Sequence, residues 1–240
     1  MVLFFTVTLP YLLFIKILKR SDPEAAEDRA FRAVKVLLKG IFIISGASVD
    51  VQGLENIPEG EAVLFIGNHR SFFDVIISYT LMNKNVCYIG KQEFDRIPVF
   101  RQWVKEIRAL MLNRSNPKEG LKTIIEAIDR IKHGTSVFIY PEGTRSRGED
   151  ASEMLEFHEG SFKIAKKTGC RVVPVVAYDT SVILERHFPV IKPEHVSMVF
   201  MEPVDLETIP EEFSKKPSLY VHELMRQKLI EMSGKAEVKA

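Results

Sequence analysis

From Ala47 onward, short runs rich in β-branched residues alternate with stretches of three- and four-residue apolar spacing, and this alternation constrains the fold more than any other feature. The runs at 48–51, 63–67, 86–89, 109–112, 136–140, 171–176 and 196–201 read as strands. The stretches at 72–82, 100–107, 117–132, 160–168 and 218–232 read as helices. Strands separated by helices need crossover connections. The expected architecture is therefore an α/β fold whose mostly parallel central sheet is flanked by helices. A chain of 240 residues holds one such domain with an appendage. The expected division is a helical hairpin over residues 1–46 and the α/β domain over 47–240, with a polar, frayed tail from Ser233.

The appendage carries the apolar excess. Hydrophobic residues make up 46% of the chain and mean hydropathy is +0.01, high for a protein made only of soluble layers. Residues 2–18, VLFFTVTLPYLLFIKIL, hold one charge, Lys16. As a helix they would measure about 25 Å, a little short of a hydrocarbon core. Pro10 falls mid-run and is expected to kink it. No basic region precedes the run and no A-x-A site follows it, so it does not read as a secretory signal. Lys16, Lys19 and Arg20 point its end to the cytoplasm. Ser21 or Asp22 then caps a second helix over about 24–45, with Pro23 in its first turn. Phe31, Val34, Leu37, Leu38, Ile41 and Phe42 recur at helical spacing, with Arg29, Arg32, Lys35 and Lys39 on the remaining faces. A short apolar helix beside a basic amphipathic one reads as a hairpin docked at an anionic membrane surface, on the cytoplasmic face of the cell membrane. A single spanning helix followed by a soluble one, and a core hairpin of a soluble protein, are the competing readings.

Composition narrows the function classes. A net charge of +1 argues against a nucleic-acid binder that works through global positive charge. That figure sums unlike parts, +3 for residues 1–48 and −2 for the remainder, so local anion recognition stays open. Cys87 and Cys170 stand far apart in no CxxC pair, and supply neither a disulfide framework nor a four-ligand zinc site. His133, His158, His187, His195 and His222 form no close-spaced ligand pair and read as surface or loop residues; no metal is expected. GxxxxGK, GxGxxG and G-x-S-x-G are all absent, which argues against a nucleotide phosphate loop and an acyl-serine mechanism.

Two strand ends carry unusual polar residues, and open α/β sheets bind ligands outside the carboxyl ends of strands. The first is Asn68-His69-Arg70-Ser71-Phe72-Phe73-Asp74. Ser71 suits an N-cap, and Asp74 three residues on completes a capping box. That box alone accounts for Asp74. Asp74 can also reach the ring of His69, and a histidine held by a carboxylate through one nitrogen offers the other as a general base. Both readings stand. The second is Tyr140-Pro141-Glu142-Gly143-Thr144-Arg145-Ser146. Pro141 ends sheet pairing, Gly143 permits a tight backbone, and Arg145 can clamp a phosphate at two points. The plain alternative is a charged surface turn.

Taken together and in order, these blocks resemble the glycerolipid acyltransferase family, the bacterial 1-acyl-sn-glycerol-3-phosphate acyltransferases in particular. The resemblance runs from about Gly53 to Ala177. His69 and Asp74 match its H-x4-D motif. Lys91-Gln92-Glu93-Phe94, Ile97-Pro98 and Arg114 match its second block, Tyr140 to Ser146 its third, and Val172-Val173-Pro174-Val175 its fourth. Phe157 to Lys163 resembles the stretch between the last two. Tyr140 stands where the family usually has Phe, Arg108 where it has Gly, and Asn113 where it often has Asp; Arg108 is expected to narrow the pocket or add charge.

The resemblance implies acyl transfer from a thioester, acyl-CoA or acyl carrier protein, to the sn-2 hydroxyl of lysophosphatidic acid, making phosphatidic acid for phospholipid biosynthesis. His69 would be the base and Asp74 its orienter, with no acyl-enzyme, metal or bound cofactor. Lys91, Arg114 and Arg145 match phosphate-binding positions, Gly143 and Thr144 shape the loop, and Glu142 braces it. Backbone N–H groups near Gly143 are expected to stabilise the oxyanion. Transfer to glycerol-3-phosphate or another lysolipid is the nearest alternative, and a membrane-associated lipid or thioester hydrolase a remote one.

Overall fold

The computed structural model describes residues 8–82, 86–93 and 98–234. Residues 2–7, Phe94, Ile97 and the tail 235–240, on which parts of the readings above fall, lie outside the described residues. Seven strands form one sheet: β1 (Ser48–Gln52), β2 (Leu64–Gly67), β3 (Val86–Lys91), β4 (Leu110–Leu112), β5 (Ser136–Ile139), β6 (Val172–Tyr178) and β7 (His195–Phe200). Their spatial order is β1-β7-β6-β2-β5-β3-β4, and only the β6–β7 pairing is antiparallel. All seven expected strands are present, to within a residue or two at their ends.

The central strands β2, β5 and β6 are buried on both faces, which is why they read as unbroken apolar runs rather than alternating ones. One face packs Leu64, Ile66, Val137 and Ile139 against α5 (Pro117–Lys132), α6 (Lys163–Thr168) and α7 (Pro217–Met232). The other packs Phe65, Phe138, Val173 and Val175 against α2 (Pro23–Ile44) and α3 (Phe72–Leu81). The stretch expected as a helix over 160–168 opens as a 3-10 turn, Glu159–Phe162, before α6. His222 is not a surface residue. It is half-buried on α7, its ring 4.8 Å from that of Phe157, and burial lowers its pKa.

The N-terminal segment is a hairpin of α1 (Leu9–Ser21) and α2, with Asp22 capping α2 through the Ala25 N–H at 2.9 Å. The part of the run before Pro10 in which a kink would show falls on residues 2–7, outside the described residues, and the described α1 begins at Leu9. Proline sits in the first turn, where its missing N–H has no intrahelical partner to lose. Leu12, Ile15, Ala26 and Ala30 enclose Trp103 of α4 (Pro98–Glu106). Lys16 donates to Gln102 at 2.6 Å and Lys19 pairs with Glu106 at 2.8 Å. Phe31 of α2 stacks on Tyr79 of α3 at 5.1 Å. The hairpin is thus bound into the core of the α/β domain. Leu9, Leu13 and Ile17, with Phe14 beside them, form a second, exposed apolar face on α1. No described helix is long and apolar enough to cross a membrane.

Arg108 departs from its expected role. Its φ is +52°, a left-handed conformation that favours glycine, and its Nε pairs with Glu27 of α2 at 2.9 Å. The side chain is turned to the hairpin rather than toward the strand ends.

Candidate active site

The carboxyl ends of β2 and β5 lie side by side, paired through Ile66 and Ile139. They deliver the two motif loops to one edge of the sheet. Asn68 continues β2 by other means. Its side-chain amide donates to Ala177 O at 2.9 Å and its carbonyl accepts from Ala177 N at 2.7 Å, a substitute ladder rung on β6. His69 follows as the chain leaves the sheet.

Asp74 proves to be both cap and ring partner. The capping box of α3 forms, with Ser71 Oγ accepting from Phe73 N at 3.0 Å. Asp74 Oδ2 accepts from Ser71 N at 2.8 Å, Arg70 N at 2.7 Å and His69 Nδ1 at 2.9 Å. Asp74 Oδ1 accepts from the Thr180 hydroxyl. The carboxylate is fully buried, and these donors with the positive end of α3 stabilise its charge. A carboxylate opposite Nδ1 places the ring proton there and leaves Nε2 with the lone pair. The imidazole also stacks on Tyr140, centroid to centroid 4.5 Å. Orientation and tautomer are therefore both set before any ligand arrives.

Glu142 links the two loops. Oε1 accepts from His69 N at 2.6 Å and Oε2 from Leu155 N at 2.8 Å. Burial pushes its pKa up to about 7, against the opposing pull of these two N–H donors. Ser146 N donates to His69 O at 2.8 Å, so the histidine backbone is held on both sides. The Gly143 N–H donates to Tyr140 O at 3.2 Å. That bond closes the turn after β5.

Gly143 has φ +82°, and a side chain there would collide with the Arg114 guanidinium. The bare backbone lets the Arg114 guanidinium lie on the loop. Lys91, at the end of β3, pairs with Glu93 at 3.0 Å. The Glu93 carboxyl is held below its usual range by its own backbone N–H, by Lys91 and, more weakly, by Arg114. Lys91 and Arg114 therefore share one neighbourhood. Thr144 is exposed. Arg145 has its own partners. Its guanidinium lies 4.0 Å over the Phe72 ring, and Nη1 bonds Glu185 Oε1 at 2.7 Å.

Sequence reasoning missed Thr180 and Glu185. Both follow β6, carry no local signature, and reach the site only through the β2–β6 pairing. Asn68 lay inside the motif and was given no role. Its adjacency to a strand end was the available signal.

A family model described as Acyltransferase matches residues 48–178. Over 151 residues the chain is 35% identical to the chloroplastic 1-acyl-sn-glycerol-3-phosphate acyltransferase BAT2 of Brassica napus, covering 62% of this chain and 42% of that protein. It is 30% identical to the 1-acyl-sn-glycerol-3-phosphate acyltransferase of Borreliella burgdorferi, covering 63% and 60%. The chain thus spans less than two thirds of the length of these curated relatives. Among solved structures, the 1-acyl-sn-glycerophosphate acyltransferase of Thermotoga maritima is similar with a TM-score of 0.76 and 25% identity, over 98% of this chain and 96% of that one.

Proposed function

The chain belongs to the acyltransferase family, and from that premise we propose that it moves a fatty acyl group from a thioester, of coenzyme A or acyl carrier protein, to the sn-2 hydroxyl of lysophosphatidic acid. The observation that carries the reading is the His69 Nδ1–Asp74 Oδ2 bond of 2.9 Å on the loop that Glu142 ties to Gly143 and Arg145. Nε2 of His69 takes the proton of the acceptor hydroxyl as its oxygen attacks the thioester carbonyl. Asp74 stabilises the imidazolium that forms. The tetrahedral intermediate collapses, the C–S bond breaks, and the thiolate leaves, protonated by the imidazolium. Among the described residues no serine or cysteine side chain bonds to His69, which favours direct transfer over an acyl-enzyme. The chemistry asks for no metal or bound cofactor.

Lys91, Arg114 and Arg145 supply the positive charge for the acceptor phosphate, with Gly143 and Thr144 shaping the loop. Arg145→Ala is expected to raise the acceptor KM by about tenfold, the scale of a lost charge-assisted hydrogen bond. Steady-state kinetics varying acceptor and donor separately check it. A shift confined to the thioester KM would remove Arg145 from the phosphate site. The activity itself is tested with an acceptor panel, acyl-CoA and acyl carrier protein donors, and mass detection of phosphatidic acid. Free fatty acid formed without any acceptor would mean a hydrolase instead.

The hairpin is the membrane foot in this reading. Both substrate and product carry long chains, and lifting one into water costs about 0.8 kcal/mol per methylene. The exposed row Leu9, Leu13 and Ile17 meets the bilayer, while Arg29, Arg32 and Lys39, all exposed, favour an anionic cytoplasmic leaflet. Removing the hairpin would also uncover Tyr79 and Trp103, so substitution is the cleaner test. The double variant Leu13→Glu, Ile17→Glu is expected to lose flotation with anionic liposomes while keeping its thermal transition. Flotation equal to the unaltered protein would dismiss this face as the anchor.

A further inference from the structure

Glu185 lies outside both motif loops and its carboxylate touches each of them. Oε2 accepts from Ser71 Oγ at 2.5 Å, and Oε1 accepts from Phe72 N at 2.8 Å and from Arg145 Nη1 at 2.7 Å. Ser71 is fully buried, and the side chains of Glu185 and Arg145 are 20% and 28% exposed. Glu185 lies beyond β6, on a segment that the family match ending at residue 178 does not reach.

We infer that Glu185 is a positioning residue for acceptor binding: it fixes the Arg145 guanidinium over Phe72, beside the His69 loop, so that the remaining donors of Arg145 receive a phosphate monoester. Arginine has five N–H donors in a rigid fork. One nitrogen, Nη1, is committed to Glu185, and the described contacts leave Nε and Nη2 without a hydrogen bond. The Phe72 ring fixes the plane of the fork and Glu185 fixes its rotation in that plane. Glu185 is itself anchored at the first turn of α3, the helix that carries Asp74. The phosphate-facing cation and the His69–Asp74 pair are thereby referred to one rigid element. A long flexible side chain held in its binding conformation has less freedom to lose when the ligand arrives.

The opposite arrangement is also chemically sensible, and it makes a contrary forecast. If the Glu185 carboxylate instead occupied the phosphate seat on Arg145, its removal would tighten acceptor binding.

This inference rests on the acceptor assigned above. The test therefore starts from phosphatidic acid formation by the unaltered protein with lysophosphatidic acid and acyl-CoA. No product there would overturn that assignment and the inference with it. Given product, Glu185→Ala is expected to raise the acceptor KM by about tenfold, with kcat falling no more than about threefold and the acyl-CoA KM unmoved. Glu185→Gln keeps an oxygen for Phe72 N and Arg145 and a donor for Ser71, so it is expected to restore the acceptor KM to within about threefold. A fall in acceptor KM for either variant, or an Ala variant whose kcat and both KM values change together, would overturn the inference while leaving the acyl transfer reading intact.

Discussion

His69→Ala is expected to reduce acyl transfer by at least the 10²–10⁴-fold that a positioned general base contributes, with the fold retained. The substitution removes the imidazole, its bond to Asp74 and its stack on Tyr140. It leaves untouched the backbone bonds that hold the loop, His69 N to Glu142 and Ser146 N to His69 O. The side chain is partly exposed, so its loss opens no sealed cavity. The decisive measurement is thiol release from acyl-CoA in the presence of lysophosphatidic acid, alongside a thermal melt. A variant that melts like the original and keeps a tenth of its turnover would end the general-base assignment.

Asp74→Asn should have the second-largest effect, a loss in kcat on the order of 10²–10⁴-fold with little change in either KM. An amide oxygen can still accept from Ser71 N, Arg70 N and His69 Nδ1. The amide nitrogen then faces the Thr180 hydroxyl, which can rotate to accept. Geometry survives, whereas the charge that stabilises an imidazolium does not. Bonds to a neutral acceptor are weaker than bonds to a carboxylate, so roughly 1–3 kcal/mol of stability should go as well. Kinetics at saturating acceptor, with a denaturant titration, separate the two losses. A kcat equal to the original would show that Asp74 serves only as a helix cap.

Much of this arrangement was legible in the chain. The strands β2, β5 and β6 are read from apolar runs because both their faces are buried. His69 and Asp74 were legible twice, once as a capping box and once as a histidine within reach of a carboxylate, and both contacts form in the structure. What escaped detection has a common cause. Thr180 and Glu185 act through tertiary pairing, and no periodicity or spacing marks a residue whose partner lies on another strand. Arg108 was read by its charge, while its backbone holds a left-handed angle and its side chain goes to Glu27.

The hydrogen bonds that fix the His69–Asp74 pair have an implication for how the protein is made. The pair itself is five residues apart, yet Thr180 bonds Asp74 across 106 positions, Ala177 holds Asn68 across 109, and Glu185 grips Ser71 across 114. A nascent chain that has emerged only as far as Arg147 therefore contains His69, Asp74 and the Tyr140–Ser146 loop but none of these distal clamps. Competence arrives late and together, when β6 zips onto β2 and brings the distal clamps with it. Truncation between Arg147 and Ala177 should leave His69, Asp74, Arg114 and Arg145 present but without the clamps that hold Asn68, Ser71 and Asp74.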